Sequence, residues 1–100
     1  MTVTHQYQQN GLTFRTQAEN LEKDGYEWRI ELDGTRDQLE RIKEIEYILP
    51  PNSPNRVRIE RDPGNKFAMR SESWGEFDIV AIVHFRNGDE KTVMVPLKVT

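Results

Sequence analysis

The chain has 100 residues with 35% hydrophobic and 31% charged side chains, which predicts a single domain over residues 1–100 with one thin core and no deep, roofed catalytic cavity. Fourteen Lys and Arg against seventeen Asp and Glu leave a net charge of −3, which argues against a nucleic-acid partner, since phosphate contacts need a clustered excess of cations. No Cys is present, so disulfides, Cys-ligated zinc and a Cys nucleophile are excluded.

In chain order, residues 1–11 are polar, with neither an apolar core nor a basic start, and read as a less ordered N-terminal segment rather than a secretory signal. No apolar run approaches the roughly 20 residues of a membrane span. The expectation is a cytoplasmic protein, or a soluble module cut from something larger. Leu12, Phe14 and Thr16 then alternate with Thr13 and Arg15, and Tyr26, Trp28, Ile30 and Leu32 alternate strictly with Glu27, Arg29, Glu31 and Asp33. Such period-two patterns are strands with one face buried. Asp33-Gly34 is a turn pair.

Leu39 and Ile42, three apart among polar neighbours, predict one helical turn over 37–42. Ile45 to Leu49 returns to a period of two, and Pro50, Pro51 and Pro54 then deny the donors of a central strand, so a loop follows. Arg56, Arg58 and Arg61 alternate with Val57 and Ile59 and read as the wet face of another strand. Asp62-Pro63-Gly64-Asn65 is a turn, Phe67 and Met69 restore alternation, and 71–76 reads as a second loop. Phe77 to Phe85 is the most apolar block, with Val80 and Ile82 on its second face, and predicts a central strand. Asn87-Gly88 suits a type I′ or related hairpin turn to a strand carrying Val93, Val95, Leu97 and Val99. About seven to eight short strands at this spacing predict an all-β, immunoglobulin-like antiparallel β-sandwich.

Chemistry is sparse. The only His residues are His5 and His84. They form neither a triad nor a metal-ligand spacing, so no catalytic residue and no metal site is expected. Glu44 and Glu46 read as a wet strand face. Phosphate-binding glycine loops and nucleophile elbows are absent from the sequence. The expectation is a protein that is not an enzyme and uses no cofactor.

One motif stands out. Ser73-Trp74-Gly75-Glu76-Phe77 puts the largest apolar side chain into a polar loop just before a strand. Trp74 either folds back as a cap on the sandwich or walls a groove, with Gly75 letting a ligand approach the backbone. Trp28, within a strictly alternating strand, reads as core.

At these residues the sequence resembles the YEATS domains, and is closest to their prokaryotic branch. Trp28 to Leu32 with Asp33-Gly34 looks like the family's opening strand and turn. Pro50-Pro51-Asn52-Ser53-Pro54-Asn55 stands where the family has an L-H-P-[ST]-F-P loop, and Ser73-Trp74-Gly75-Glu76-Phe77 is similar to its G-W-G-E-F signature. The resemblance implies an immunoglobulin-like sandwich that binds rather than catalyses, often in prokaryotic signalling systems. Eukaryotic members hold an acylated lysine between two loops, flanked by aromatic rings and hydrogen-bonded to a hydroxyl and backbone amides.

Carried over by position, Trp74 keeps one aromatic wall, and the Trp74 and Gly75 amides keep their donors. Pro50 replaces a His, Asn52 a Ser or Thr, and Ser53 the second aromatic. Loss of that ring forfeits about 0.5 to 1.5 kcal/mol of stacking and about 1.5 to 3 kcal/mol of burial, roughly a ten- to thousandfold in affinity. This weighs against acyl-lysine recognition, although Asn52 keeps a donor and an acceptor for a polar ligand. The leading expectation is therefore a recognition module that binds a peptide, a modified side chain or a protein partner through loops 50–55 and 71–75, with Pro50, Asn52, Ser53, Ser73, Trp74 and Gly75 as contacts. The competing expectations are an assembly domain that pairs through an edge strand, with Trp74 only capping, and a carbohydrate binder using Trp74.

Overall fold

Period-two alternation becomes strand almost everywhere it occurs. The computed structural model describes residues 2–21 and 25–100. Its strands are β1 Thr2–Gln9, β2 Leu12–Leu21, β3 Gly25–Leu32, β4 Ile42–Ile48, β5 Val57–Glu60, β6 Met69–Ser73, β7 Phe77–Phe85 and β8 Glu90–Leu97. They form two four-stranded sheets, ordered β1-β2-β3-β6 and β5-β4-β7-β8, and every pairing is antiparallel. This is the immunoglobulin-like sandwich that the strand spacing predicts.

The inner faces supply the core. Tyr26, Trp28, Ile30 and Leu32 of β3 face Ile79, Ala81 and Val83 of β7, with Val93, Val95 and Leu97 of β8 beside them, all buried. Each fully buried large side chain contributes about 1.5 to 3 kcal/mol. Trp28 is core, as expected, and meets Phe77 edge to face at 5.8 Å, while Phe14 meets Tyr47 at 6.4 Å. β7 is an interior strand of its sheet, as its two apolar faces require.

Four expectations are corrected. Residues 2–9 are not a less ordered segment but form β1, paired with β2 from Thr2↔Glu19 to Gln9↔Leu12. Val3, His5 and Tyr7 alternate toward the core with Thr4, Gln6 and Gln8 facing out, and the polar His5 in the inward row hides the pattern. The helix, α1, spans Arg36–Glu40 rather than 37–42, because Thr35 and Gln38 form a capping box that starts it early, and Ile42 already opens β4.

On β5 the wet face is the apolar one. Val57 and Ile59 are 50% and 42% exposed, while Arg58 and Glu60 are half-buried. β5 is an edge strand, where a long Arg stem can cover the rim of the sandwich and still deliver its head to a partner. The Arg58 guanidinium donates to the Arg70 carbonyl at 3.1 Å. Finally, β6 runs to Ser73, so the expected loop over 71–76 shrinks to 74–76.

Two turns owe their shape to left-handed residues. After β7 the positive φ falls on Gly88 (+95°) and not on Asn87, and the Gly88 N–H donates to Phe85 O. That makes a type I turn followed by a glycine bulge rather than a type I′ turn. Lys66 and Phe67 are both left-handed, at φ +56° and +53°, a costly conformation for non-glycine residues. Phe67 tolerates it because its ring is fully buried, its N–H donates to Asp62 O, and its carbonyl accepts from the Tyr47 hydroxyl at 2.8 Å.

Candidate functional site at one end of the sandwich

Register decides which loops meet. Ile48, the last residue of β4, lies opposite Val80, three residues into β7. The loop after β4 and the turn before β7 therefore project from the same end of the sandwich, and β3 starts there as well, with Tyr26 opposite Ser73. The proline corner and the tryptophan corner, distant in sequence, share one tip.

The 50–55 loop is closed at its base. The Leu49 N–H donates to Arg56 O at 2.8 Å, and the Arg56 Nε–H returns a bond to Leu49 O at 3.0 Å. Within it the Ser53 N–H donates to Pro50 O at 3.0 Å, and Asn55 takes a left-handed φ of +50°. Pro50 and Ser53 are half-buried, and Asn52 is exposed. The Asn52 amide is thus presented outward, while Ser53 faces partly inward in place of a ring.

The opposing turn is built around Trp74, which is 72% exposed. This corrects the capping alternative: a cap would bury its indole against the sandwich, and this one projects into solvent. Gly75 has φ +70°, and a Cβ placed on it would meet nothing within 4 Å. Glycine is needed for the backbone conformation, and the space beside it is open. Glu76 ties down the far side, its Oε2 accepting from the Val99 N–H at 2.9 Å. Ser73 is committed differently from Asn52, because its Oγ accepts the Trp28 indole N–H at 3.0 Å. It anchors the core tryptophan at the base of the turn.

Tyr26 belongs to the same end and has no counterpart among the expected contacts. Its hydroxyl is buried and has no hydrogen-bond partner among the described residues, and burial followed by the charge of Glu76 pushes its pKa up. Buried hydroxyls are normally satisfied, so this one is an exception close to the tip. Alternation alone marks Tyr26 as core; the unpartnered hydroxyl is what distinguishes it from Trp28, whose indole N–H is bonded to Ser73. The two histidines stand elsewhere: His5 Nε2 lies 2.8 Å from Thr100 O, and His84 sits between Glu46 and Glu90 on an outer face. Among the described residues, no cluster of three His, Cys, Asp or Glu is disposed to hold a metal, and no helix is long and apolar enough to cross a membrane.

The family model of the prokaryotic YEATS domain matches residues 26–98. No curated protein matches the sequence. Among solved structures, the Yaf9 YEATS domain recognizing an H3K122suc peptide superposes with a TM-score of 0.75 at 24% identity, over 99% of this chain and 74% of that one. The Yaf9 YEATS domain bound to H3K27ac gives 0.76 at 22% identity, over 100% and 75%. The yeast AF-9 homolog protein Yaf9 gives 0.76 at 21% identity, over 100% and 70%.

Proposed function

The chain belongs to the prokaryotic YEATS domain family, and from that premise we propose that it is a non-catalytic binding module that takes a peptide segment, presenting a modified side chain, between loop 50–55 and the turn at 73–75. The observation that carries this reading is the 72% exposure of Trp74 at the tip it shares with the proline loop. A large apolar ring held in water contributes little to folding and contributes burial once a ligand covers it. Two Yaf9 structures are named for an H3K122suc peptide and for H3K27ac, which makes acylated lysine the first ligand class to test.

The chemistry at the tip favours a polar acyl group over a purely apolar one. Only Trp74 offers a ring, whereas the exposed Asn52 amide and the Gly75 backbone offer hydrogen bonds. A module of this kind acts by bringing a partner to whatever it accompanies, which suits a prokaryotic signalling context. Edge-strand assembly is less well supported, because side chains already take some of the edge backbone groups: Arg58 caps the Arg70 carbonyl on one side, and on the other Gln9 accepts the Met94 N–H at 3.2 Å and Asn10 donates to Thr92 O at 2.7 Å.

Titration of the chain with succinyl-lysine, acetyl-lysine and unmodified lysine peptides, followed by amide shifts and Trp fluorescence, tests the proposal. The expected result is saturable shifts confined to 50–55 and 73–76 with an acylated peptide, lost in Trp74→Ala. Unmoved amides at both loops with every peptide would overturn it.

A further inference from the structure

The outer face of the β5-β4-β7-β8 sheet is apolar where an outer face should be polar. Its rows follow from the registers: Val57, Ile48, Val80 and Met94 lie side by side across all four strands, and Ile59, Glu46, Ile82 and Thr92 form the next row. Val57 and Met94 are each 50% exposed and Ile59 42%, with Ile48, Val80 and Ile82 half-buried between them. Contiguous apolar patches of this kind mark interaction surfaces.

The borders of the patch state what it accepts. Toward the β7–β8 hairpin it is closed by Glu44, His84 and Glu90, with Glu46 inside it, and toward the tryptophan tip by Asp78 and Pro96. The paired residues of this face thus carry four carboxylates and no Lys or Arg. Of the cations that border it, Arg61 is paired with Glu44 at 3.3 Å, and Lys43 and Lys98 stand exposed at its two ends.

These carboxylates repel an anionic membrane or a nucleic acid, and a cationic partner is the complementary one.

We infer that this sheet face is a docking surface for a cationic amphipathic helix, one whose apolar stripe is bordered by Lys or Arg. Four strands about 4.8 Å apart place the outer two roughly 14 Å from each other, a distance that a helix rising 1.5 Å per residue covers in about 10 residues. Its apolar stripe would cover the Val57-to-Met94 row, and its cations would reach Glu46 and Glu90 on one flank and Asp78 on the other. This surface is distinct from the tryptophan tip, so both could be occupied at once.

The test uses a 14-residue Leu/Lys amphipathic helical peptide and its Leu/Glu counterpart with identical leucine positions, titrated into the full chain and followed by amide shifts. The Leu/Lys peptide should shift resonances of β4, β5, β7 and β8 and leave 50–55 unmoved. Val57→Ser with Met94→Ser should weaken it at least tenfold, and Glu46→Gln with Glu90→Gln should weaken it and flatten its salt dependence. Trp74→Ala should bind it unchanged. Equal binding of the Leu/Glu peptide, shifts away from these strands, or none at millimolar peptide would overturn the inference. So would a concentration-dependent dimer of the free chain abolished by the double serine variant, which would make the face a self-interface.

Discussion

The Tyr47 hydroxyl donates to the Phe67 carbonyl at 2.8 Å inside the core, where two consecutive non-glycine residues, Lys66 and Phe67, are left-handed. Tyr47→Phe leaves that carbonyl unsatisfied and is expected to cost about 1 to 3 kcal/mol in denaturant unfolding. Burial also pushes the Tyr47 phenol well above its ordinary value. The folded state therefore holds a proton that the unfolded chain releases above about pH 10. Stability is full below that pH and falls as pH climbs past it. Tyr47→Phe should flatten this alkaline decline, measured by chemical denaturation between pH 8 and pH 11. At Trp74, half the question is thermodynamic: Trp74→Ala should change unfolding free energy by no more than about 0.5 kcal/mol, as for other exposed sites, whereas a capping role would require several times that. The sequence made Trp28 legible because its neighbours alternate strictly. It left Trp74 ambiguous because an isolated aromatic in a turn has no periodicity to consult, and it could not single out Tyr26, whose distinguishing property is a missing partner.

Among the elements, α1 depends on its start. The Thr35 side chain accepts from the Gln38 N–H, and Gln38 Oε1 accepts from the Thr35 N–H at 2.9 Å. A helix of five residues lies far below the length that sustains itself, so Thr35→Ala should cost about 0.5 to 2 kcal/mol, readable as a lowered melting temperature with the sheets otherwise intact. The capping box was legible in Thr35 and Gln38 but is subtler than the Leu39 and Ile42 spacing, which is why the expected turn came out displaced. β1 and β5 were misread for a shared reason. Both are edge strands, where half-burial on one side is enough and polar residues can face inward along the rim, so apolar alternation no longer indicates direction. The interior strands β3 and β7, enclosed by neighbours on both sides, were read correctly.

At the scale of the whole molecule, β1 and β2 precede the family-matched stretch yet furnish part of the core. Phe14 is fully buried and packs against Tyr47, and Thr16 and Ala18 are buried beside it. A chain beginning at residue 25 should therefore lose its cooperative thermal transition and its near-ultraviolet circular dichroism, because uncovering the inner face of β3 removes several burials of about 1.5 to 3 kcal/mol each from a net stability of about 5 to 15 kcal/mol. A sharp transition in that shortened chain would show the first hairpin to be dispensable. That the two corners meet at one tip was legible only as far as the motif resemblance carried it; the meeting itself depends on the β4–β7 register, which pairs segments more than thirty positions apart.

The clasp between Leu49 and Arg56 separates what the six enclosed residues are from whether the fold survives. Leu49 stays anchored in the core while the loop beyond it remains at the surface, where composition is thermodynamically cheap to vary. Randomised libraries at 50–55 should yield mostly folded variants, which makes this small cysteine-free sandwich a natural frame for displaying engineered specificities beside a fixed indole.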